Sequence, residues 1–353
     1  MERRKFIHAS GVVVGASLIN SSNLMAKAPL GVNATNLIKP AKLKKGDTIG
    51  LITPGSAVSR AAFEKAQANM ESLGFKVKYS ENMRVKKGFL AGTDKQRLDD
   101  LHSMFSDPEI KGIVCARGGY GSGRLLPSID YELIKANPKV LIGFSDITAL
   151  LLAIHQKTGL VCFHGPVGAS EFTDFTKVQF EKVLIKGKSN VKIDVPKGWN
   201  DETNLAYETI KISNGIAQGE LVGGNLSLLT AAMGTPYDIN FDNKIVFIEE
   251  IGESPYRVDR MITQILNSGK LDNAKGIALG VFKNCETKPE DSDFGLSLSL
   301  KEVLMDRFSD FKIPIIYGLP IGHIDDNATL PLGMEAELNV EKACLTILES
   351  AVI

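Results

Sequence analysis

Of 353 residues, four are cysteine, one is tryptophan and five are histidine. The cysteines, Cys115, Cys162, Cys285 and Cys344, are scattered and form no C-x-x-C pair, which removes the usual zinc and dithiol signatures. A chain this long can bury a core without a disulfide framework, although a single bridge stays open. Cys115 and Cys162 lie in apolar runs and are expected as buried free thiols. Neither H-x-x-H nor H-E-x-x-H occurs, and the remaining plausible ligands are dispersed, so no metal is expected. Net charge is lacking too: Lys+Arg and Asp+Glu are both 41. With no basic block, nucleic acid is not expected as a partner.

What is present is a chain 44% hydrophobic and 23% charged, enough to bury sizeable cores in about two domains. Residues 1–28 differ in kind. Arg3-Arg4-Lys5-Phe6-Ile7 precedes a weakly apolar run from Ala9 to Ile19, and Ala26-Lys27-Ala28 offers a small-x-small cleavage site. This resembles a twin-arginine export signal, with a disordered basic tail as the plain alternative. The run is too short and too rich in Gly and Ser to span a membrane. The expectation is a periplasmic or otherwise exported protein with no stable membrane anchor after signal removal; a cytoplasmic protein is the alternative.

From residue 42 to 168, short apolar runs alternate with amphipathic stretches. Strands are expected at 48–52, 75–79, 111–116, 139–143 and 160–163, with helices at 59–73, 93–106, 131–136 and 146–157. Alternation of this kind makes a mostly parallel, Rossmann-like α/β sheet with flanking helices, whose ligands bind outside the strands' carboxyl ends. Residues 169–218 are helical at first, then polar and irregular, and read as a linker with weak strands. Residues 219–353 read as a smaller C-terminal α/β domain rich in β. A site in the cleft between the two domains is expected.

Four stretches carry candidate chemistry. Gly143-Phe144-Ser145-Asp146 joins an apolar strand to an apolar helix with almost no loop. Ser145 or Asp146 there is either a helix cap or part of a nucleophile elbow that aims the Ser145 hydroxyl at the sheet edge. The G-x-S-x-G pattern is absent, since Ile147 replaces the second glycine. Arg117-Gly118-Gly119-Tyr120-Gly121-Ser122-Gly123-Arg124 lies at the same sheet edge. It fits neither phosphate-binding glycine motif, and is either a flexible loop or a source of an oxyanion-binding N–H, with Arg117 or Arg124 holding a carboxylate. A nucleophilic serine needs a base. His8 is in the signal, and His102 and His155 sit in ordinary helices. His164, at a strand end near Ser145, and His323, in a later polar loop, both remain. Glu249, Glu250 and Glu253, at the end of an apolar strand, are candidate acids or simply solvated turn residues and partners of Arg257 and Arg260.

These stretches together resemble the LD-carboxypeptidases, serine peptidases of the murein tetrapeptide carboxypeptidase and microcin-immunity type. Ala116 to Gly121, Leu141 to Thr148 and His164-Gly165-Pro166 are similar to the family's N-terminal half. Gly219 to Leu226, Phe247 to Glu253, Tyr256 to Met261, Gly322-His323 and Thr329 to Gly333 are similar to its C-terminal half, all in order. The resemblance implies a Ser145–Glu249–His323 triad, with Ser145 as nucleophile, Glu249 as acid and His323 as base. It implies oxyanion donors at the backbone of Asp146 and of Gly118 or Gly119, and no metal or organic cofactor. The implied reaction is release of a C-terminal D-amino acid, typically D-Ala, from muropeptide tetrapeptides. Arg117, Arg124 and Arg257 are candidates for holding the substrate's terminal carboxylate. An immunity-type hydrolase of peptidyl-nucleotide antibiotics and a non-catalytic muropeptide-binding protein are the alternatives. The oligomeric state is open, a homodimer included.

Overall fold

Short apolar runs, each followed by a tight turn or a helix, make the first sheet. Its strands are β1 (Thr48–Ile52), β2 (Lys76–Tyr79), β3 (Ile110–Cys115), β4 (Val140–Gly143) and β5 (Phe163–His164). All five are parallel, in the order β2-β1-β3-β4-β5. Every residue of β4 is buried, as expected for a parallel strand covered on both faces. Helices α1 (Arg60–Ser72), α2 (Asp94–Ser106), α3 (Tyr131–Ala136) and α4 (Thr148–Thr158) lie between the strands in sequence. Thr93 and Gln96 form a capping box at the start of α2, satisfying two otherwise orphan N–H groups.

The computed structural model describes residues 37–196, 199, 207–287 and 294–353. The expected export signal lies outside them. Among the described residues no helix is long and apolar enough to cross a membrane.

After α5 (Asp174–Phe180) the chain builds a second sheet. Its core is four parallel strands, β8 (Ile216–Asn225), β9 (Lys244–Ile251), β10 (Gly276–Lys283) and β11 (Ile315–Gly322). Antiparallel strands β13 (Glu335–Asn339), β14 (Cys344–Ile347) and β6 (Val191–Asp194) extend one side, and β7 (Ile210–Ser213) the other. This sheet has eight strands, so it is not the smaller of the two. The reason is that β6 and β7, from the stretch expected as a linker, pair onto its outer edges. Helices α6 (Leu226–Ala232), α7 (Pro255–Asn267) and α8 (Leu300–Phe308) accompany it.

Two features join the sheets into one continuous core. Helix α4 is apolar all round, with Leu150 to Ile154 buried in succession, because it packs on the first sheet and also against β8 and α6. Beyond β11 the chain then crosses back. Strand β12 (Leu330–Pro331) pairs antiparallel with β5, and the Leu332 N–H bonds the Cys162 carbonyl at 2.8 Å. The next residue, Gly333, bonds the Leu221 carbonyl of the second sheet at 2.8 Å. The four cysteines are all buried free thiols.

One charged residue is fully buried within the first sheet's loops. The Arg97 side chain, on α2, has no exposure. It donates to the Pro54 carbonyl at 2.5 Å and the Gly121 carbonyl at 2.8 Å, and it pairs with Asp94. Arg97 therefore ties the loop after β1 to the glycine loop after β3. Arg97→Met keeps the length and removes the donors. Its unfolding free energy in urea should fall by about 1–3 kcal/mol for each buried carbonyl left unpaired; wild-type stability would show that the tie contributes nothing.

Candidate active site

Ser145 begins a single 3-10 turn, Ser145–Ile147, between β4 and α4. Its φ is +63°, a left-handed conformation that a serine rarely adopts. The tight join depends on Gly143, where a Cβ would lie 2.8 Å from Ile147 Cγ2. Strand β4 thus ends, reverses and starts a helix within about one turn, leaving Ser145 half-buried while its neighbours are buried. This is the geometry of an elbow. Neither Ser145 nor Asp146 caps α4 through its side chain.

The Asp146 carboxylate turns instead to the glycine loop. It accepts from the N–H groups of Gly121 at 3.2 Å and Ser122 at 2.9 Å, and the Ser122 hydroxyl donates to the Asp146 carbonyl. The loop is fixed from its other side as well. Ser56 N–H donates to the Gly118 carbonyl at 3.1 Å, and the Tyr120 N–H donates to the Ser56 hydroxyl at 3.0 Å. The loop is therefore pinned rather than flexible. Gly118 is pressed onto the elbow: a Cβ there would lie 3.0 Å from Ser145 Cβ, 3.1 Å from the Phe144 carbonyl oxygen and 3.3 Å from Asp146 N. The backbones of Gly118 and Asp146 therefore flank Ser145. Gly119 adopts φ +94°, and a Cβ on it would strike Ser56 at 2.5–2.6 Å.

Glu249 and Glu250 are consecutive on β9, so they point to opposite faces. Both are buried, yet their surroundings differ. Glu250 accepts from Asn225 Nδ2, from the Ser227 N–H and hydroxyl, and from the Ile251 N–H at 2.7–3.0 Å. Its acceptors are thus engaged in holding β8, α6 and β9 together. Glu249 bonds His323 Nδ1 through Oε2 at 2.7 Å. Burial alone would raise the Glu249 carboxyl, but His323, followed by His164 and the Asn225 amide, outweighs it and holds Glu249 below the usual carboxylate range. His323 follows directly on β11, at the start of the crossing back to the first sheet. Its ring stacks edge-on against Phe144 with centroids 4.8 Å apart, which brings it beside the Ser145 turn. Among the described residues no hydrogen bond links Ser145 Oγ to His323.

His164, the other candidate base, is buried. Its ring packs against Phe144 and Phe247. His102 accepts from the Asp130 N–H at 3.0 Å, and His155 bonds the Leu160 carbonyl at 3.0 Å; both serve packing. Among the described residues, no group of three or more His, Cys, Asp or Glu side chains could hold a metal ion.

Residues 49–165 match the LD-carboxypeptidase N-terminal domain, and residues 218–338 the LD-carboxypeptidase C-terminal domain. The chain belongs to the LD-carboxypeptidase family of peptidases. It is 40% identical to the probable murein peptide carboxypeptidase of Bacillus subtilis over 314 residues, covering 88% of this chain and 94% of that protein. It is 32% identical to the murein tetrapeptide carboxypeptidase of Pseudomonas aeruginosa over 296 residues, covering 82% and 92%. Among solved structures, the wild-type apo form of the microcin C7 self-immunity protein MccF superposes with a TM-score of 0.80 at 27% identity, covering 90% of this chain and 100% of that one.

Within this LD-carboxypeptidase chain the three candidate arginines occupy different settings. Arg124 is held by Asp94 through two nitrogens at 2.9–3.2 Å. Arg257, on α7, contacts Tyr256 and Glu253. Arg117 has no carboxylate partner among the described residues, and its Nη1 donates to the Ala57 carbonyl at 3.2 Å. Sequence reasoning passed over Asn225. Its N–H donates to Thr148 Oγ1 at 3.2 Å and its Nδ2 to Glu250, so it joins α4 to β9. The signal available was its place in Gly223-Gly224-Asn225. Both glycines have positive φ, and a Cβ on Gly224 would lie 2.4 Å from Thr148 Cγ2.

Burial pushes the His164 imidazole down to about 4; the Glu249 charge opposes that shift and His323 adds to it. An unperturbed histidine titrates near ~6.5. Between those values the unfolded chain binds a proton that the folded protein does not, so stability falls as pH drops through this window. His164→Phe should flatten the dependence of unfolding free energy on pH between 4 and 6.5 by about 1 kcal/mol per pH unit. An unchanged slope would mean that folded His164 titrates normally.

Proposed function

We propose that the protein is a serine-type L,D-carboxypeptidase that removes a C-terminal D-amino acid, D-Ala, from peptidoglycan-derived tetrapeptides in murein turnover or recycling. The carrying observation is the strained Ser145 turn set beside the buried Glu249–His323 pair. Murein carboxypeptidases among its relatives support the substrate class.

In this reading Ser145 Oγ attacks the carbonyl of the penultimate residue, forming a C–O bond while His323 Nε2 takes the hydroxyl proton. Glu249 orients the imidazole through Nδ1 and stabilises its charged form. The tetrahedral oxyanion lies against the backbone N–H of Asp146 and of Gly118 or Gly119, with each strong donor worth about 3–4 kcal/mol. Collapse breaks the C–N bond as the imidazolium proton passes to the departing D-Ala amine. Water, deprotonated by His323, then hydrolyses the acyl-enzyme. Arg117 holds the substrate's terminal carboxylate, a group present only at a chain end. Of the three candidate arginines it alone has no carboxylate partner among the described residues.

A second reading has one observation in its favour. Trp199 and Tyr207 stack edge-on with centroids 5.0 Å apart. Burial, then the charges of Asp325 and Asp326 next to His323, raise the Tyr207 phenol. An aromatic pair toward this loop would suit a planar base, as an immunity-type hydrolase of peptidyl-nucleotides requires.

Purified enzyme incubated with a muropeptide tetrapeptide should release D-Ala. Ser145→Ala and Glu249→Gln should each lower kcat by at least about a thousandfold, while Arg117→Ala should act mainly on KM. D-Ala release at the native rate by Ser145→Ala ends the nucleophile assignment. Hydrolysis of an aminoacyl-nucleotide without D-Ala release favours the second reading.

We also propose export through the twin-arginine-like segment. A reporter fused after residue 28 should reach the periplasm and be retained in the cytoplasm when Arg3 and Arg4 are both changed to Lys. Equal export of the two fusions counts against it.

A further inference from the structure

Behind the Glu249–His323 pair, three buried side chains gather that carry polar atoms without hydrogen-bond partners among the described residues. Among the described residues, Glu249 Oε1, both ring nitrogens of His164 and Asn327 Nδ2 have no hydrogen bond, and all three residues are at most 2% exposed. Their closeness follows from the packing. Phe247 and Glu249 share one face of β9 because side chains alternate along a strand. The His164 ring lies against Phe247, with centroids 5.0 Å apart, which sets it next to Glu249. Asn327 approaches from the crossing segment. Its Oδ1 accepts from the Gly322 N–H at 3.0 Å, and a Cβ on Gly322 would stand 2.8 Å from Glu249 Oε2.

Buried polar groups seldom stay unpaired, and groups too far apart for a direct bond are commonly joined by water. The chemistry of these three suits a water. A carboxylate oxygen only accepts, an amide nitrogen only donates, and a neutral imidazole does one of each. The rings of Phe144 and Phe247 close His164 off from solvent.

We propose that buried water links His164 and Asn327 to Glu249 Oε1, and that His164 is thereby a positioning residue for the Glu249–His323 pair. The proposal rests on the triad reading above. The hydrogen bond to His323 fixes one oxygen of the carboxylate, Oε2. Held through both oxygens, it keeps one orientation and supports the imidazolium more strongly. The titratable groups bordering this site are Glu249 on β9, His323 after β11 and His164 on β5. Glu250 faces away into Asn225 and Ser227. Asp325 and Asp326 lie on the His323 loop, with Asp326 bonded to Thr173.

Two measurements test this. A crystal structure of the wild-type protein, at a resolution that orders internal waters, should show water within hydrogen-bond distance of both Glu249 Oε1 and a His164 ring nitrogen. A dry site, or a direct His164–Glu249 bond, overturns the proposal. This result does not depend on activity, so it stands apart from the Ser145→Ala outcome. In kinetics, His164→Phe should lower kcat about tenfold, the effect of losing one hydrogen bond's worth of orientation. KM should be unchanged, and the acidic limb of kcat/KM should move to lower pH. His164→Gln, which can still bond the water, should recover most of kcat. Wild-type kcat in the Phe variant, or equal loss in both variants, overturns it.

Discussion

A carboxylate with no solvent exposure sits at the end of β9, and the site depends on what neutralises it. Removing an ion from water costs several kcal/mol unless a partner compensates. At Glu249 the compensation comes from His323, 2.7 Å away, a residue that reaches this position only because the chain leaves β11 there. The pair is therefore both a buried hydrogen bond and a topological clamp. It ties the end of β11 to β9 within the second sheet, and Phe144 extends that tie to the Ser145 turn through its contact with the His323 ring.

The same requirement explains the course of residues 322–334. A loop between separate domains would leave the distance from Ser145 to His323 to thermal motion. Here the segment is bonded into the first sheet at β12, and then into the second at Gly333 and Leu221. The two sheets share α4, and Asn225 and Gly224 seat its first turn on β8. Residues from three distant parts of the chain are held on rigid elements, which positions reacting groups better than mobile loops do. The two sheets on either side of the expected cleft share one continuous hydrophobic core.

The alternation of strands and helices was legible in the sequence because burial on both faces writes long apolar runs, as at Val140–Gly143, and amphipathic helices repeat every three to four residues, as at Phe63, Ala66 and Met70. Strands β6 and β7 were legible only as weak strands in a linker. As edge strands they need few apolar residues. Within the site, the position of Ser145 between strand and helix could be read locally, but its conformation could not. Glu249 and Glu250 were indistinguishable by spacing, since both end one apolar strand. What separates them is which face each side chain takes, and that is set by pairing with β8 and β10. Arg97 was invisible for a related reason: an arginine on a helix reads as a surface residue, and nothing local shows that two carbonyls from distant loops converge on it.

Asp146 shows why a local reading can fail at a site. An acidic residue before a helix is a sound expectation for a cap, and the first turn of α4 would accept one. The structure uses the carboxylate for another purpose, receiving two N–H groups of the glycine loop. Had Asp146 capped α4, the loop after β3 would have lost its anchor beside Ser145, and Gly118 would have had no reason to lie against the turn. Instead the helix start goes uncapped by any side chain, and the loop gains a fixed backbone next to the serine. The proposed reaction would need that trade, because donors stabilise developing charge only if they are in place before it forms. The missing side-chain cap, the positive φ of Ser145 and the crowded Gly118 are therefore one arrangement, in which a helix cap is given up and the backbones of Gly118 and Asp146 lie against Ser145.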